Sequence, residues 1–293
     1  MKEFDLIRVV ADLFADENVE VPATLHDASY VKFNDYYLVF TCDTVNEISD
    51  FPKYMLPEEM GHMALAVTLS DLAACGAKPL YFLSSISLKE ADLDFFRRIL
   101  IGIKKLAKKY GVRVIGGDID FCEFVVIAGF AVGKSDRVVT RYDARIGDRV
   151  YVTGLLGKAQ LCLEMLNRGY KRDELPYAEN LYTPEPKIEE GMRIARFASA
   201  MTDISDSLAI SLHQIAEQSK VKIVVEDLPL DHLTEYVSVE EALEMFLYGG
   251  GDFELLFTAE NSDIGIEIGR VERGRGVFLK NGKRVEFRGF SHF

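Results

Sequence analysis

From Met63 to Ala77 the chain reads Met-Ala-Leu-Ala-Val-Thr-Leu-Ser-Asp-Leu-Ala-Ala-Cys-Gly-Ala, almost continuously apolar, with one carboxylate, Asp71, inside it. A helix that is apolar on every side offers no face to water, so it is buried. An ionised carboxylate there costs several kcal/mol unless it is paired or bound to a metal. Asp71 is therefore either a structural group bonded to backbone amides or a functional one.

The surrounding pattern predicts alternating strands and helices. Ala28–Phe33 and Tyr36–Cys42 are β-rich runs joined by Asn34-Asp35, a hairpin-type turn. A helix is expected over Glu58–Gly76, opened by Pro57, and an amphipathic one over Asp92–Tyr110, ended by Gly111. Strands are expected at Leu80–Leu88, at Val112–Ile115 (short and buried) and at Phe124–Val132. After the polar stretch Lys134–Asp148 the pattern restarts. It gives a strand at Val150–Thr153, helices at Lys158–Arg168 and Lys187–Ala198, and a Pro-containing loop at Leu175–Pro186. Further helices start at Asp206 and Val239, and strands fall at Val221–Val225, at Glu254–Phe257 and near the C-terminus. The 293 residues suit two domains, 1–137 and 138–293, both α/β.

Charge excludes some functions. Asp and Glu number 47 against 34 Lys and Arg, a net charge of −13, so nucleic acid is not attracted by the molecule as a whole. Any phosphate ligand must be met by a local basic group, a helix N-terminus or a bound cation. No run of about 18 apolar residues escapes a charge, so no membrane span is expected. The mixed-charge start Met1-Lys2-Glu3-Phe4-Asp5 is not a signal segment, and the expectation is a soluble, cytoplasmic protein. Cys42, Cys75, Cys122 and Cys162 form no Cys-x-x-Cys pair and suit a reducing compartment.

More carboxylates stand at the ends of apolar runs: Asp27, Asp43, Asp118, Asp203, Asp206 and Asp252. In α/β sheets ligands bind at such strand ends. Each alone reads as a turn residue. Together with Asp71 they suggest a set of hard oxygen ligands, of the kind that shares Mg²⁺ with substrate phosphates. Gly116-Gly117 and Gly249-Gly250-Gly251 permit close backbone approach. Gly154-Leu-Leu-Gly157-Lys158-Ala159 is too short for a P-loop and reads as a helix N-terminus. Asp252 either touches a ligand or caps a turn.

In order along the chain, several stretches resemble the thiamine-monophosphate kinase family of the aminoimidazole ribonucleotide synthetase superfamily. They are His26-Asp27-Ala28-Ser29-Tyr30, Thr41-Cys42-Asp43-Thr44-Val45-Asn46-Glu47 and Ser70-Asp71-Leu72-Ala73-Ala74-Cys75-Gly76-Ala77-Lys78-Pro79. Gly116-Gly117-Asp118, Val152-Thr153-Gly154-Leu155-Leu156-Gly157, Asp203-Ile204-Ser205-Asp206 and Gly249-Gly250-Gly251-Asp252-Phe253-Glu254-Leu255 follow. The resemblance implies an α/β (α+β) two-domain fold and a homodimer whose N-terminal sheets close into a barrel. It implies ATP-dependent conversion of thiamine monophosphate to thiamine diphosphate by direct in-line transfer, assisted by several Mg²⁺ ions. By the same resemblance Asp27, Thr41, Cys42, Asp43, Asp71, Asp118, Asp203 and Asp206 contact metal. Gly117, Asp118, Arg141 and Ser205 contact ATP, and Asp71, Asp118 and Arg141 are catalytic.

The departures fall mainly on the acceptor side. Asp50 stands where the family usually has His, Gly251 where it has Glu, and Phe290 where an aromatic, often Trp, packs on the thiamine ring. Ile101 stands where an aromatic often lies near adenine. They keep two alternatives open: a related ATP-using enzyme with another phosphorylated acceptor, and a non-catalytic nucleotide-binding assembly protein.

Overall fold

The apolar run forms helix α2, Pro57–Ala74, which is buried along most of its length. Proline at its first position needs no N–H partner, and the Glu59 carboxylate accepts the Leu56 N–H at 2.8 Å. Gly76, left-handed at φ +57°, ends it, and Ala77 donates to the Leu72 carbonyl at 2.8 Å. The computed structural model describes residues 3–14, 19–21 and 25–291.

Two sheets lie around α2. The first contains β1 (Ser29–Phe33), β2 (Tyr36–Asn46), β3 (Lys78–Leu88), β4 (Arg113–Phe121) and β5 (Val126–Ser135), in the order β1-β2-β5-β3-β4. Only β3 and β4 run parallel. The second contains β6 (Arg149–Val152), β7 (Ala200–Ile204), β8 (Lys222–Val225), β9 (Glu254–Ala259), β10 (Ile266–Glu272) and β11 (Gly276–Leu279). Its order is β11-β8-β10-β6-β9-β7.

Helix α2 packs on β2 and β5 of the first sheet and on β7 and β9 of the second. This double contact is why its sequence has no polar face. The second sheet shows the same logic by alternation. Leu255, Phe257 and Ala259 join the core around α2, whereas Leu256 faces a second core with Leu208, Leu212 and Phe246. That second core is covered by α7 (Leu208–Gln218) and α9 (Val239–Tyr248). The other helices are α1 (Glu3–Phe14), α3 (Leu93–Tyr110), α4 (Lys158–Asn167), α5 (Ala178–Tyr182), α6 (Ile188–Ile194) and α8 (Asp231–Thr234). Among the described residues no helix is long and apolar enough to cross a membrane.

Two expectations change. Val112–Ile115 is not a short buried strand. The strand is Arg113–Phe121, and every residue in it is exposed. It lies at the sheet edge: Val112, just before it, is buried, but Val114 and Ile115 meet solvent. The Leu175–Pro186 loop contains the short helix α5.

Helices α2 and α3 touch through glycines. A Cβ on Gly102 would sit 1.8 Å from the Glu58 carbonyl oxygen, and one on Gly61 2.0 Å from that of Ile99. Both obstacles are backbone, so relief requires the helices to separate. Gly102→Ala is expected to destabilise the protein by about 1–3 kcal/mol, seen as a lower urea midpoint.

Candidate active site

The site is assembled at α2. Asp71 is in its last turns, opposite β2, and accepts a hydrogen bond from the Thr41 hydroxyl. The alternation of β2 puts Thr41 and Asp43 on the α2 side and the Cys42 thiol on the opposite, exposed face. From the second sheet, β7 supplies Asp203, which accepts from the Ser70 hydroxyl at 2.7 Å. Asp27, just before β1, accepts from the Thr202 hydroxyl at 2.9 Å and pairs with the Arg141 guanidinium. Arg141 also donates through Nε to Thr202 at 3.0 Å.

Carboxylate oxygens of Asp27, Asp71 and Asp203 all lie within 4.8 Å of one another. Burial raises the pKa of all three, and they differ in what answers it. At Asp27 the Arg141 guanidinium and His26 outweigh burial and hold the carboxyl well below the usual range. Among the described residues no cation pairs with Asp71. Burial and then the charges of Asp43, Asp203 and Asp27 push it well up. Asp203 is pushed up by burial and by Asp27, against the Ser70 hydrogen bond. Converging carboxylates of this kind ionise together only with a cation between them. The donors are all oxygen, which fits a hard divalent ion such as Mg²⁺.

The cluster opens into a cavity of about 560 Å³ between the two halves of the chain. Asp43, Asp71, Asp203, Asp206 and Ser205 line one part of it. Pro52, Met63, Val67, Leu163, Leu181 and Phe253 supply an apolar part. All three acceptor-side residues named from the sequence, Asp50, Gly251 and Phe290, also line it. Asp50 additionally closes the turn after β2, accepting from the Asn46 N–H at 2.8 Å and the Ser49 hydroxyl at 2.9 Å.

Other named residues lie elsewhere. Arg141 is not a lining residue; it is buried against Asp27. Gly117 and Asp118 are on β4, separated from β2 by β5 and β3, about 14 Å at ordinary strand spacing. Pairing places Asp43, Gly129, Ser84 and Gly117 in one row, so Asp118 points to the face opposite Asp43. Gly117 has a packing reason of its own: a Cβ would lie 2.0 Å from the Ser84 carbonyl oxygen.

Sequence reasoning missed Ser70 and Thr202, whose hydroxyls orient Asp203 and Asp27. The available signal was a hydroxyl within a buried apolar run, one residue before a carboxylate in each case. Asp252 resolves as a cap. Its carboxylate accepts from the N–H groups of Gly157 at 2.6 Å and Ala159 at 3.2 Å, at the N-terminus of α4.

Residues 25–135 match the family described as AIR synthase related protein, N-terminal domain. With the two-sheet fold, this makes the chain a member of the AIR synthase-like superfamily. The thiamine-monophosphate kinase of Archaeoglobus fulgidus is 66% identical over 100% of this chain and 98% of its own. That of Aquifex aeolicus is 35% identical over 99% of this chain and 98% of its own. The solved structure of AaThiL complexed with AMPPCP and TMP is 34% identical, with a TM-score of 0.91 over 100% of this chain and 97% of that one. The chain belongs to the thiamine-monophosphate kinase family, a family of phosphotransferases.

Burial raises the Asp252 carboxyl from its ordinary 3.8 to about 6, although the two N–H bonds pull it back. The folded state thus binds this proton more tightly than the unfolded one. Its stabilising contribution is complete below about pH 4 and is lost as pH rises through about 6. Relative to Asp252→Asn, the wild type is expected to lose roughly 3 kcal/mol across that window, read from urea unfolding at several pH values.

Proposed function

We propose that the protein transfers the γ-phosphoryl group of ATP to thiamine monophosphate, giving thiamine diphosphate and ADP. The observation that carries this reading is one cavity that joins a carboxylate-lined part to an apolar, aromatic part. The acceptor presents the same division, a phosphate on an aromatic cation.

The nucleophile is an oxygen of the acceptor phosphate. Its second pKa is about 6, so near pH 7 it is largely ionised and needs no general base. It bonds to the γ-phosphorus as the bond to the β–γ bridging oxygen breaks, and ADP leaves with that electron pair. No phospho-enzyme is required. The difficulty is bringing anions together on a protein of net charge −13. Asp27, Asp71 and Asp203, with Asp43 and Asp206, are the residues that would hold Mg²⁺; when bound, it supplies neutralisation of the phosphates. Thr41, Ser70 and Thr202 keep the carboxylates aimed. Arg141 keeps Asp27 ionised. Arg141 donates through Nε to Thr202 and through Nη2 to Asp27 and does not line the cavity, so a nucleotide phosphate would have to reach it at Nη1 or displace Asp27. Ser205 offers a hydroxyl to the nucleotide, Phe290 a ring face to the acceptor and Asp50 a carboxylate to the thiazolium charge.

The protein acts as a homodimer in this reading. The first sheet leaves one face open, with Phe40, Tyr81 and Phe130 exposed, and β4 adds Val114, Ile115, Ile119 and Phe121. A bare edge strand and an apolar face invite a second copy. Asp118, separated from its own cavity by both distance and face, would then serve the partner's site, with Gly117 beside it.

Incubation with ATP, Mg²⁺ and thiamine monophosphate should yield thiamine diphosphate and ADP in equal amounts by mass spectrometry. Nucleotide binding without either product would reject this acceptor. For Asp118, two inactive variants are co-expressed with different tags, Asp71→Asn and Asp118→Asn. The mixed dimer should regain activity, because one of its sites then has both carboxylates. A silent mixed dimer would place Asp118 in the site of its own chain.

A further inference from the structure

After β11, Val285 still donates to the Val277 carbonyl at 3.0 Å; then the chain leaves the sheet and crosses α9 towards the cavity. Terminal segments are ordered only where something ties them down, because fixing them costs backbone entropy. Residues 286–290 are tied at successive points. The Glu286 N–H donates to the Tyr248 hydroxyl at 3.3 Å. The Arg288 guanidinium lies 3.9 Å over the centre of the Tyr248 ring and pairs with Glu244, one turn earlier on α9. The Ser207 hydroxyl donates to the Arg288 carbonyl at 2.9 Å, and the Phe290 N–H to the Asp206 carbonyl at 3.1 Å. Gly289 passes so close that a Cβ would sit 2.5 Å from the Ser207 hydroxyl and 2.7 Å from Ile210 Cδ1. Tyr248, Gly289 and Phe290 all line the cavity.

We propose that Arg288 is a positioning residue that straps residues 286–290 across the cavity and thereby sets affinity for the acceptor. This rests on the reading above, in which Phe290 faces thiamine monophosphate. The side chain of Arg288 is 50% exposed, so its ion pair with Glu244 alone is weak; the flat stack on Tyr248 adds direction and holds the strap at its middle. Asp206 joins the strap to the cavity: its backbone carbonyl anchors Phe290, and the residue lines the cavity with Asp43, Asp71 and Asp203. Loss of Arg288 therefore loosens the aromatic wall first and leaves the carboxylates in place.

The chain has no Trp, so Phe290→Trp provides a single indole on the strap. In that background Arg288→Ala should make the indole more accessible to acrylamide with no ligand present. It should weaken thiamine monophosphate binding, read from indole emission, about tenfold. Affinity for a non-hydrolysable ATP analogue and the melting temperature should hold, and Arg288→Lys should recover part of the loss. With Phe290 intact, Arg288→Ala should raise KM for the acceptor and leave kcat unchanged. Unchanged acrylamide access, or an equal loss of affinity for both ligands, overturns the proposal. If the indole does not respond to thiamine monophosphate while Arg288 is intact, the acceptor reading fails and takes the affinity claim with it. The ligand-free quenching still reports separately on whether Arg288 holds the strap.

Discussion

One helix is asked to satisfy two sheets at once. Helix α2 is the shared core element of both halves, packed on β2 and β5 on one side and on β7 and β9 on the other. The packing leaves no polar face, yet the helix carries Ser70 and Asp71 where the two sheets approach each other. Each then finds its partner in a different half: Asp71 in Thr41 of β2, and Ser70 in Asp203 of β7. The burial that makes a carboxylate expensive here also fixes its position, because a helix held on both sides has little freedom to turn a charge towards bulk water. A phosphate-handling site needs that rigidity.

The same packing divides the carboxylates by environment. Asp27 has a guanidinium and an imidazole next to it and is held ionised despite burial. Asp71 and Asp203 face mainly other acids, and burial pushes both up. Burial thus opposes ionisation at Asp71 and Asp203, while the Arg141 pairing favours it at Asp27. In the reading proposed above, the charge of a metal held there would be coupled to the charge of the protein.

Much of this was legible in the sequence where the chemistry is local. Asp92 and Gly111 bracket α3 because a side-chain cap and a left-handed glycine act within a few residues. Asp71 stood out because a charge in an apolar helix is costly wherever that helix packs. What escaped depends on long-range pairing. Ser70 and Thr202 look like ordinary small polar residues until the sheets come together. The exposure of Val114 and Ile115 follows from their place on an edge strand, which hydropathy along the chain does not record. The separation of Asp118 from Asp43 follows from a strand order that puts β5 and β3 between them.

The acceptor end shows how backbone geometry limits what a sequence can place in a site. Gly251 is left-handed at φ +84°, and its N–H donates to the Ser205 carbonyl at 2.8 Å. Phe253 is also left-handed, at φ +50°, a conformation that side-chain-bearing residues adopt at a cost of about 1 kcal/mol or more. Between them Asp252 turns inward to cap α4, which pins the loop from below. A Cβ at Gly251 would meet only the Ala159 methyl, at 3.4 Å, so space alone does not exclude a side chain there. The backbone does more of the excluding. Position 251 carries no acid, whereas Asp50, from the first half of the chain, lines the same cavity. In the reading proposed above, the negative charge for a cationic ring would come from Asp50 in the first half of the chain rather than from position 251, and the ring wall of Phe290 would have to be placed accordingly. That gives a terminal strap held by Arg288 more consequence here than it would have in a pocket whose charge and ring wall share one loop.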